Sequence, residues 1–518
     1  MSTTPDNPTP IHAQTLSTPQ SALWGTGGSL ALPTALDMPS DDARSALAKI
    51  ATDTKMVQQG TSPEHSINLL AVYADQLANN MIVGKTALQT VNARIAAIDQ
   101  LISQQMDQIL HDPNFQKLEG AWRGLQYLVK NTDTGAMMKL RLLNATKKEL
   151  ADDFDKATDF DQSALFKKVY EEEYGTFGGY PFSVLVGDYS FGRSAGDMAL
   201  LTNFSAVAAA AHAPFLSAAD PKLFDMASFA ELSKPRDLAK QFDSSELIKW
   251  KSFRESEDSR YVALTLPRVL MRMPYGDNFT PVESFSYTET VTGPDNGKFL
   301  WGNSAYALAQ RITAAFSLYH WCAAIRGVEG GGLIEGLPTY TFKTADGLVT
   351  LTCPTETAIT DRRENELSKL GFIALCHKKN TDQAVFFGGQ TVNKPVLYDL
   401  DDANANAALS ARLPYILATS RFAHYIKVIM RDKIGSFATK ENVSNYLNQW
   451  LAGSILLNDD APQAVKAAYP LREGRVDVFD EPGKPGSYRA VVYLRPHFQL
   501  EELTVSMRLV ADLPAPAK

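Results

Sequence analysis

Apolar positions recur every three or four residues from Val91 onward. Val91, Ile95, Ile98, Ile102, Met106 and Ile109 fall on one face of a long predicted helix. His111-Asp112-Pro113 interrupts the pattern, with Asp112 suited to cap a new helix and Pro113 to its first position. Phe115, Leu118, Trp122, Leu125 and Val129 then form a second stripe, predicted to face a core. So short a break predicts two helices folded back on each other. Upstream, Ser62-Pro63 repeats the cap-then-proline device where helical patterning begins.

Further along, short β-branched and aromatic runs alternate with helical patterns. Residues 137–143 and 181–186 read as strands, with an acidic helical stretch over 151–174 between them. An Ala-rich helix is predicted over 195–211 and a strand over 261–266. A helix follows over 304–325, with Leu308, Ile312, Ala315, Tyr319 and Cys322 inward and Gly327 as its terminator. Short strands are predicted over 349–353, 372–376 and 384–387. Asp361 and Glu364 suggest a capping box for a helix ending before Gly371. Strands alternating with helices predict an α/β chain, a mixed sheet with helices on its faces. Past a polar joint at 401–406 comes a helix with Tyr415, Phe422, Ile426, Ile429 and Met430 on one side. Arg421, His424, Lys427 and Arg431 line its other side, which reads as a wet basic face. A second helix carries Val443, Tyr446, Leu447, Trp450 and Leu451.

Three terminal strands close the chain, over 475–480, 488–495 and 503–509, with a Pro/Gly turn at 481–486. In the last of them Leu503, Val505, Met507 and Leu509 alternate with Thr504, Ser506 and Arg508. Its backbone donors and acceptors must pair with something. It either closes a hairpin of the chain's own last domain or is shared with a neighbouring subunit.

Composition narrows the function classes. A chain of 518 residues with 45% hydrophobic and 21% charged content is ordinary for a folded soluble protein of two to four domains. The net charge of -8 argues against nucleic acid, which needs a concentrated basic surface. No apolar run is long enough to cross a bilayer, and the N-terminus lacks a signal-peptide layout, so cytoplasmic residence is predicted. Residues 1 to about 40 are rich in Ser, Thr, Pro and Ala and predict a mobile arm. The expected division is an arm at 1–60, main sheet-and-helix domains at 61–380, and a C-terminal domain with terminal strands at 381–518.

Candidate chemistry is sparse. Cys322, Cys353 and Cys376 form no CxxC and read as reduced thiols. Val83-Gly84-Lys85-Thr86 ends like a phosphate-binding loop, but Asn79 stands where its first glycine belongs. Gly330-Gly331-Gly332 and Gly336 lead into Leu337-Pro338 rather than a helix start, so a structural loop is predicted. Gly192-Arg193-Ser194-Ala195-Gly196 matches G-x-S-x-G and would make Ser194 a hydrolase nucleophile, with His320, His377, His424 or His497 as base. Five residues separate it from the preceding strand, which weakens that reading. Cys376 and His377 are adjacent on a strand and point to opposite faces, and His320 and Cys322 are two apart on a helix. Neither pair is expected to cooperate, and no zinc ligand set is visible. Arg254, Glu255, Glu257, Asp258 and Arg260 read as a salt-bridged face.

Several stretches resemble the large sheath subunit of bacterial type VI secretion systems, the TssC/VipB family. They are residues 115–125 (FQKLEGAWRGL), 252–261 (SFRESEDSRY), 326–331 (RGVEGG), 360–363 (TDRR), 421–425 (RFAHY) and 494–505 (LRPHFQLEELTV). The resemblance implies a structural protein with a contractile tail-sheath-like fold, not an enzyme. It implies no catalytic residue, cofactor or metal. Its implied partners are a TssB/VipA-type small sheath subunit, other copies of itself, an Hcp-type inner tube, a baseplate and a ClpV-type AAA+ unfoldase. It also implies strand exchange between neighbours at the chain ends, which assigns Leu503, Val505, Met507 and Leu509 to a subunit interface. The alternatives are the sheath of a phage-tail-like injection particle, and a serine hydrolase using Ser194.

Overall fold

The computed structural model describes residues 45, 48–49, 70–71 and 87–499, less 277–278, 283–284, 292–296, 344–348, 352, 437–438, 481, 483–487 and 498. The 1–60 arm (apart from 45 and 48–49), the Gly84-Lys85-Thr86 loop and the 503–509 strand therefore lie outside the described residues. The chain divides into two units, Met1–Ile98 and Asp99–Lys518. The first is represented mainly by the start of helix α1 (Ala87–Leu110), and the second holds every strand among the described residues.

Helix α2 (Pro113–Lys130) begins as the cap-then-proline pattern predicts: Asp112 accepts hydrogen bonds from the amides of Asn114 and Phe115. Helix α3 (Lys147–Lys156) carries a complete capping box between Thr146 and Glu149. The acidic stretch after it is no continuous α-helix: residues Lys167–Tyr174 wind as a π-helix. Residues 137–143 form no strand. They run beside 180–182 instead, held by side chains: Lys139 lies 3.4 Å over the Tyr180 ring, and Arg141 pairs with Glu173.

A six-stranded sheet forms the centre, in the order β1-β2-β3-β9-β10-β6. Its strands are β1 (Leu185–Phe191), β2 (Phe215–Ala219), β3 (Val262–Leu266), β6 (Leu333–Ile334), β9 (Phe372–His377) and β10 (Ala384–Phe386). Two minor strand pairs, β4 (Val269–Leu270) with β5 (Trp301–Gly302) and β7 (Thr341–Lys343) with β8 (Val349–Leu351), lie in the excursion between β3 and β9. The pairs from β1 to β9 are parallel; β10 adds antiparallel to β9, and β6 to β10. Strand β1 starts at Leu185, later than its apolar run suggests, because Phe215 of β2 is its first partner.

The parallel strands are apolar on both faces because helices cover both. Phe215, Val262, Leu264, Phe372, Ala374 and Cys376 join one core with helices α4 (Ala195–Ala211), α5 (Ile248–Glu255) and α7 (Asp361–Lys369). The alternate residues Leu216, Ala263, Ile373 and Leu375 join the other core, with helix α6 (Ala305–Tyr319). Aromatic stacking anchors the first core: Phe204 on Phe215 at 4.3 Å and Trp250 on Phe372 at 5.6 Å between centroids. Helix α6 stops earlier than Gly327, because His320 takes a left-handed conformation (φ 62) and its amide reaches the Phe316 carbonyl. Helix α7 is capped at Thr360 without a side-chain bond, so the Asp361/Glu364 capping box does not form, though Gly371 (φ 88) ends it as expected.

The polar joint proves to be a helix, α8 (Asp401–Ser410), leading to α9 (Leu413–Asp432), α10 (Lys440–Ala452) and α11 (Gln463–Ala468). Strands β11 (Leu471–Asp480) and β12 (Tyr488–Pro496) close the described chain. A third core joins them: Phe422 and Ile426 of α9, Val443, Leu447 and Leu451 of α10, and Leu471, Val476 and Val478 of β11.

Candidate assembly interface

Strands β11 and β12 pair antiparallel from Leu471↔Pro496 to Asp480↔Tyr488. Their two edges differ. The side-chain amide of Asn448 on α10 grips Val476 from outside the ladder, Nδ2 donating to its carbonyl at 2.8 Å and Oδ1 accepting from its amide at 2.9 Å. A side chain thus does what a neighbouring strand would do. Nearer the start of β11, Leu471 bonds the segment at 454–456: its carbonyl accepts from the Leu456 amide at 2.8 Å. The outer edge of β11 is therefore occupied at Leu471 and Val476.

Because Val476 turns its polar groups away from β12, its partner Val492 turns its own away from β11. The two-residue period puts Ala490 and Leu494 in the same position. The outer edge of β12 hence presents the backbone groups of Ala490, Val492 and Leu494, with no partner among the described residues. Such a row is a template for another strand. Leu503, Val505, Met507 and Leu509, the predicted exchange residues, come soon after in sequence but lie outside the described residues.

Helix α2 supplies a second surface, opposite to expectation. Phe115, Leu118, Trp122 and Val129 are exposed, Trp122 at 57%, while Gly120, Gly124 and Leu128 are buried. Two glycines four apart let the backbone of α2 lie directly on β5 and α6. A Cβ at Gly120 would stand 3.2 Å from the Trp301 carbonyl oxygen, and one at Gly124 would strike the Tyr306 ring. The small-residue face goes in, so the large apolar face stays out. The Gly-x-x-x-Gly spacing was the signal for this orientation. Arg272 pins the helix from the β3–β9 excursion, its Nε 2.8 Å from Glu119 and its Nη1 2.6 Å from buried Glu289.

The basic side of α9 is a seam, not a wet face. His424 is buried with Nε2 2.8 Å from the Ala211 carbonyl, and burial pushes its pKa down to about 4. Lys427 sits 3.4 Å over the Tyr174 ring, and Arg431 donates to the carbonyls of Thr176 at 2.7 Å and Tyr174 at 3.0 Å, closing the end of the π-helix. Arg254 differs likewise from its expected ion pairs. It is buried and donates to the carbonyls of Val392 at 2.9 Å and Lys369 at 3.1 Å, and burial lowers its pKa to about 10 despite nearby Glu255.

The catalytic candidates resolve into structural roles. Ser194 is the N-cap of α4, its hydroxyl accepting from the Asp197 amide at 3.1 Å, with relaxed extended backbone. Gly331 (φ 88) and Gly336 (φ 70) shape the loop around β6, with Gly332 bonding back to Gly327. His497 bonds through its backbone to the Pro470 carbonyl at 3.0 Å. Cys376 faces the first core, where burial raises its thiol pKa, and Cys322 is raised to about 12 the same way. His377, the residue after Cys376 and the last of β9, places Nε2 2.8 Å from the Thr381 carbonyl oxygen. Among the described residues no group of three or more His, Cys, Asp or Glu could hold a metal ion, and no helix is long and apolar enough to cross a membrane.

Comparison with known proteins gives concordant matches. The VipB family model (EvpB/VC_A0108, tail sheath N-terminal domain) matches residues 92–393, and VipB_2 (tail sheath gpW/gp25-like domain) matches residues 402–513. The chain is 48% identical over 488 residues to a Pseudomonas aeruginosa protein described as type VI secretion system sheath protein TssC1, covering 93% of this chain and 97% of that one. Among solved structures it overlaps loosely with the contracted PVC sheath complex of an extracellular contractile injection system (TM-score 0.32, 11% identity, 60% of this chain and 68% of that one). It overlaps similarly with the contracted helical sheath of the anti-feeding prophage (TM-score 0.28, 13% identity, 73% of this chain and 99% of that one).

Proposed function

This chain belongs to the VipB/TssC family of type VI secretion sheath large subunits, and on that premise we propose how it assembles: it pairs with a TssB/VipA-type small subunit, polymerises around an Hcp-type inner tube and contracts to drive that tube. The family is one of structural sheath proteins, and the subunit belongs to a contractile injection system. In this reading the sheath grows from a baseplate in the cytoplasm, and a ClpV-type AAA+ unfoldase takes the contracted form apart. The main domains end and the C-terminal sheath domain begins between residues 380 and 400, ahead of α8.

The observation that carries the proposal is the unequal pair of edges on the terminal hairpin. Asn448 closes β11, and β12 is left with unpartnered backbone groups among the described residues. Strand addition at β12 gives main-chain bonds whose strength does not depend on which side chains meet. Such a tether survives while rigid bodies rotate and remake their other contacts. The two packings must differ in free energy, with the extended one held until a trigger. Residues 503–509, with Leu503, Val505, Met507 and Leu509 along one face, are the segment assigned to the exchange.

Deleting residues 503–518 tests this. The truncated chain co-expressed with the small subunit still forms the pair, seen by co-purification, but negative-stain microscopy shows no long tubules. Tubules of normal length from the truncated chain contradict the exchange.

A further inference from the structure

We propose that a cation-lined cavity beside the central sheet binds a chain of phosphate groups, an oligophosphate. The cavity measures about 320 Å³, the size of a small-ligand site rather than of a single ion. It lies where the end of α7, the loop after β10 and the start of α9 come together. Arg254, Arg326, Lys369, Lys394 and Arg412 line it. Glu364 is the one carboxylate among the described residues that do so.

Backbone carbonyls hold the walls in place. Arg254, on α5, has 8% of its surface exposed. Its Nε and Nη2 are spent on the carbonyls of Val392 and Lys369, at 2.9 and 3.1 Å, and its Nη1 has no partner among the described residues. Arg326 is equally buried and is held by its Nε, which donates to the Phe387 carbonyl at 2.9 Å. Gly388, the residue after Phe387, is buried in the cavity wall, and its amide has no hydrogen-bond partner among the described residues. Buried backbone amides are rarely left so. Lys369 is exposed and has no ion pair among the described residues. Lys394, also exposed, makes a 3.5 Å contact with exposed Glu255, outside the cavity lining.

Buried guanidiniums need an anion to offset their lost hydration. One carboxylate against five cations leaves the cavity strongly positive, and Arg254, lowered by burial to about 10, stays charged at neutral pH. A carboxylate ligand brings one charge and two acceptor oxygens. A phosphate chain brings charge and acceptors on every group, matched to forked guanidinium donors and to a free backbone amide. Lys369 and Lys394 at the mouth act as point charges along the chain. Exposed Phe387 at the same rim offers a face for a nucleobase, so the phosphate chain is either inorganic or part of a nucleotide.

Titration calorimetry of the full-length chain tests this, at fixed ionic strength to hold nonspecific attraction constant. Tripolyphosphate binds at one site per chain with a dissociation constant of about 100 μM or below. Citrate, a carboxylate of similar charge density, binds about tenfold more weakly or worse. Replacing both exposed lysines, Lys369→Gln with Lys394→Gln, weakens tripolyphosphate about tenfold or more with circular dichroism unchanged. Lys378→Gln with Lys379→Gln, beyond the opposite end of β9 from Lys369, leaves the affinity as it was. ATP in place of tripolyphosphate identifies the source: equal or tighter binding marks a nucleotide, and weaker binding an inorganic chain. No saturable binding of either overturns the proposal, as does an affinity undiminished in the folded Lys369→Gln, Lys394→Gln variant or equally diminished in the control. Citrate binding as tightly as tripolyphosphate also overturns it, and makes an acidic protein segment the occupant. Should the lysine variant not fold, the citrate comparison decides the matter alone.

Discussion

His424 has 2% of its surface exposed, its Nε2 spent on the Ala211 carbonyl and its Nδ1 without a partner among the described residues. Burial first, then the positive Arg421 and Lys427 and the adjacent His212, push its pKa down to about 4. His212 is lowered as well, by burial and Lys427. An unfolded histidine titrates near 6.5, so between that pH and about 4 the unfolded chain binds more protons than the folded one. The stability these groups contribute is complete above about pH 6.5 and is lost as pH falls toward the folded value. The loss from His424 is of order 3 kcal/mol, at 1.36 kcal/mol per pKa unit. His424→Gln keeps a donor for the Ala211 carbonyl but cannot titrate. Urea unfolding at pH 7 and pH 4.5 should show a smaller loss of midpoint in the variant than in the wild type, and equal losses would contradict the assignment. Asn448, on the next helix, makes the same point: its one amide occupies the outer edge of β11 at Val476, while among the described residues the outer edge of β12 has no partner.

At the scale of elements, the sequence was legible wherever the apolar pattern had one solution. The runs at β3 and β9 are buried on both faces, and no helix fits so short a stretch between turns. It failed where two faces competed. On α2 the large residues Phe115, Leu118 and Trp122 suggest a core, but close approach of the backbone through Gly120 and Gly124 decides the orientation. Residues 137–143 alternate like a strand, yet their neighbour 180–182 offers side-chain partners rather than a ladder. The π-helix has no period of its own in the sequence; it depends on Arg431, more than 250 residues away, to close its end. The orientation of α2 is open to a direct check. Gly124→Ala places a methyl against the Tyr306 ring and should lower unfolding free energy by about 1–3 kcal/mol. Trp122→Ser, on the exposed face, should change it by about 0.5 kcal/mol or less. The reverse order in denaturant titrations would mean that the helix is turned the other way.

For the molecule as a whole, three cores give the bodies, and in the proposed assembly the last hairpin gives the coupling. Two cores clasp the six-stranded sheet from either side, and the third holds α9, α10 and β11 together. Trp321, just past α6, packs against the third core by stacking on Phe422 at 4.3 Å. Among the described residues, the large apolar face of α2 stays exposed and the outer edge of β12 has no ladder partner. The claim that the outer edge of β12 receives another subunit's strand is tested most directly by amide hydrogen exchange at Ala490, Val492 and Leu494, compared between the isolated subunit pair and assembled sheath. The account predicts that all three amides slow by about a hundredfold or more on assembly while Val476, already bonded to Asn448, changes little. Equal exchange at those three amides in the two states would contradict it.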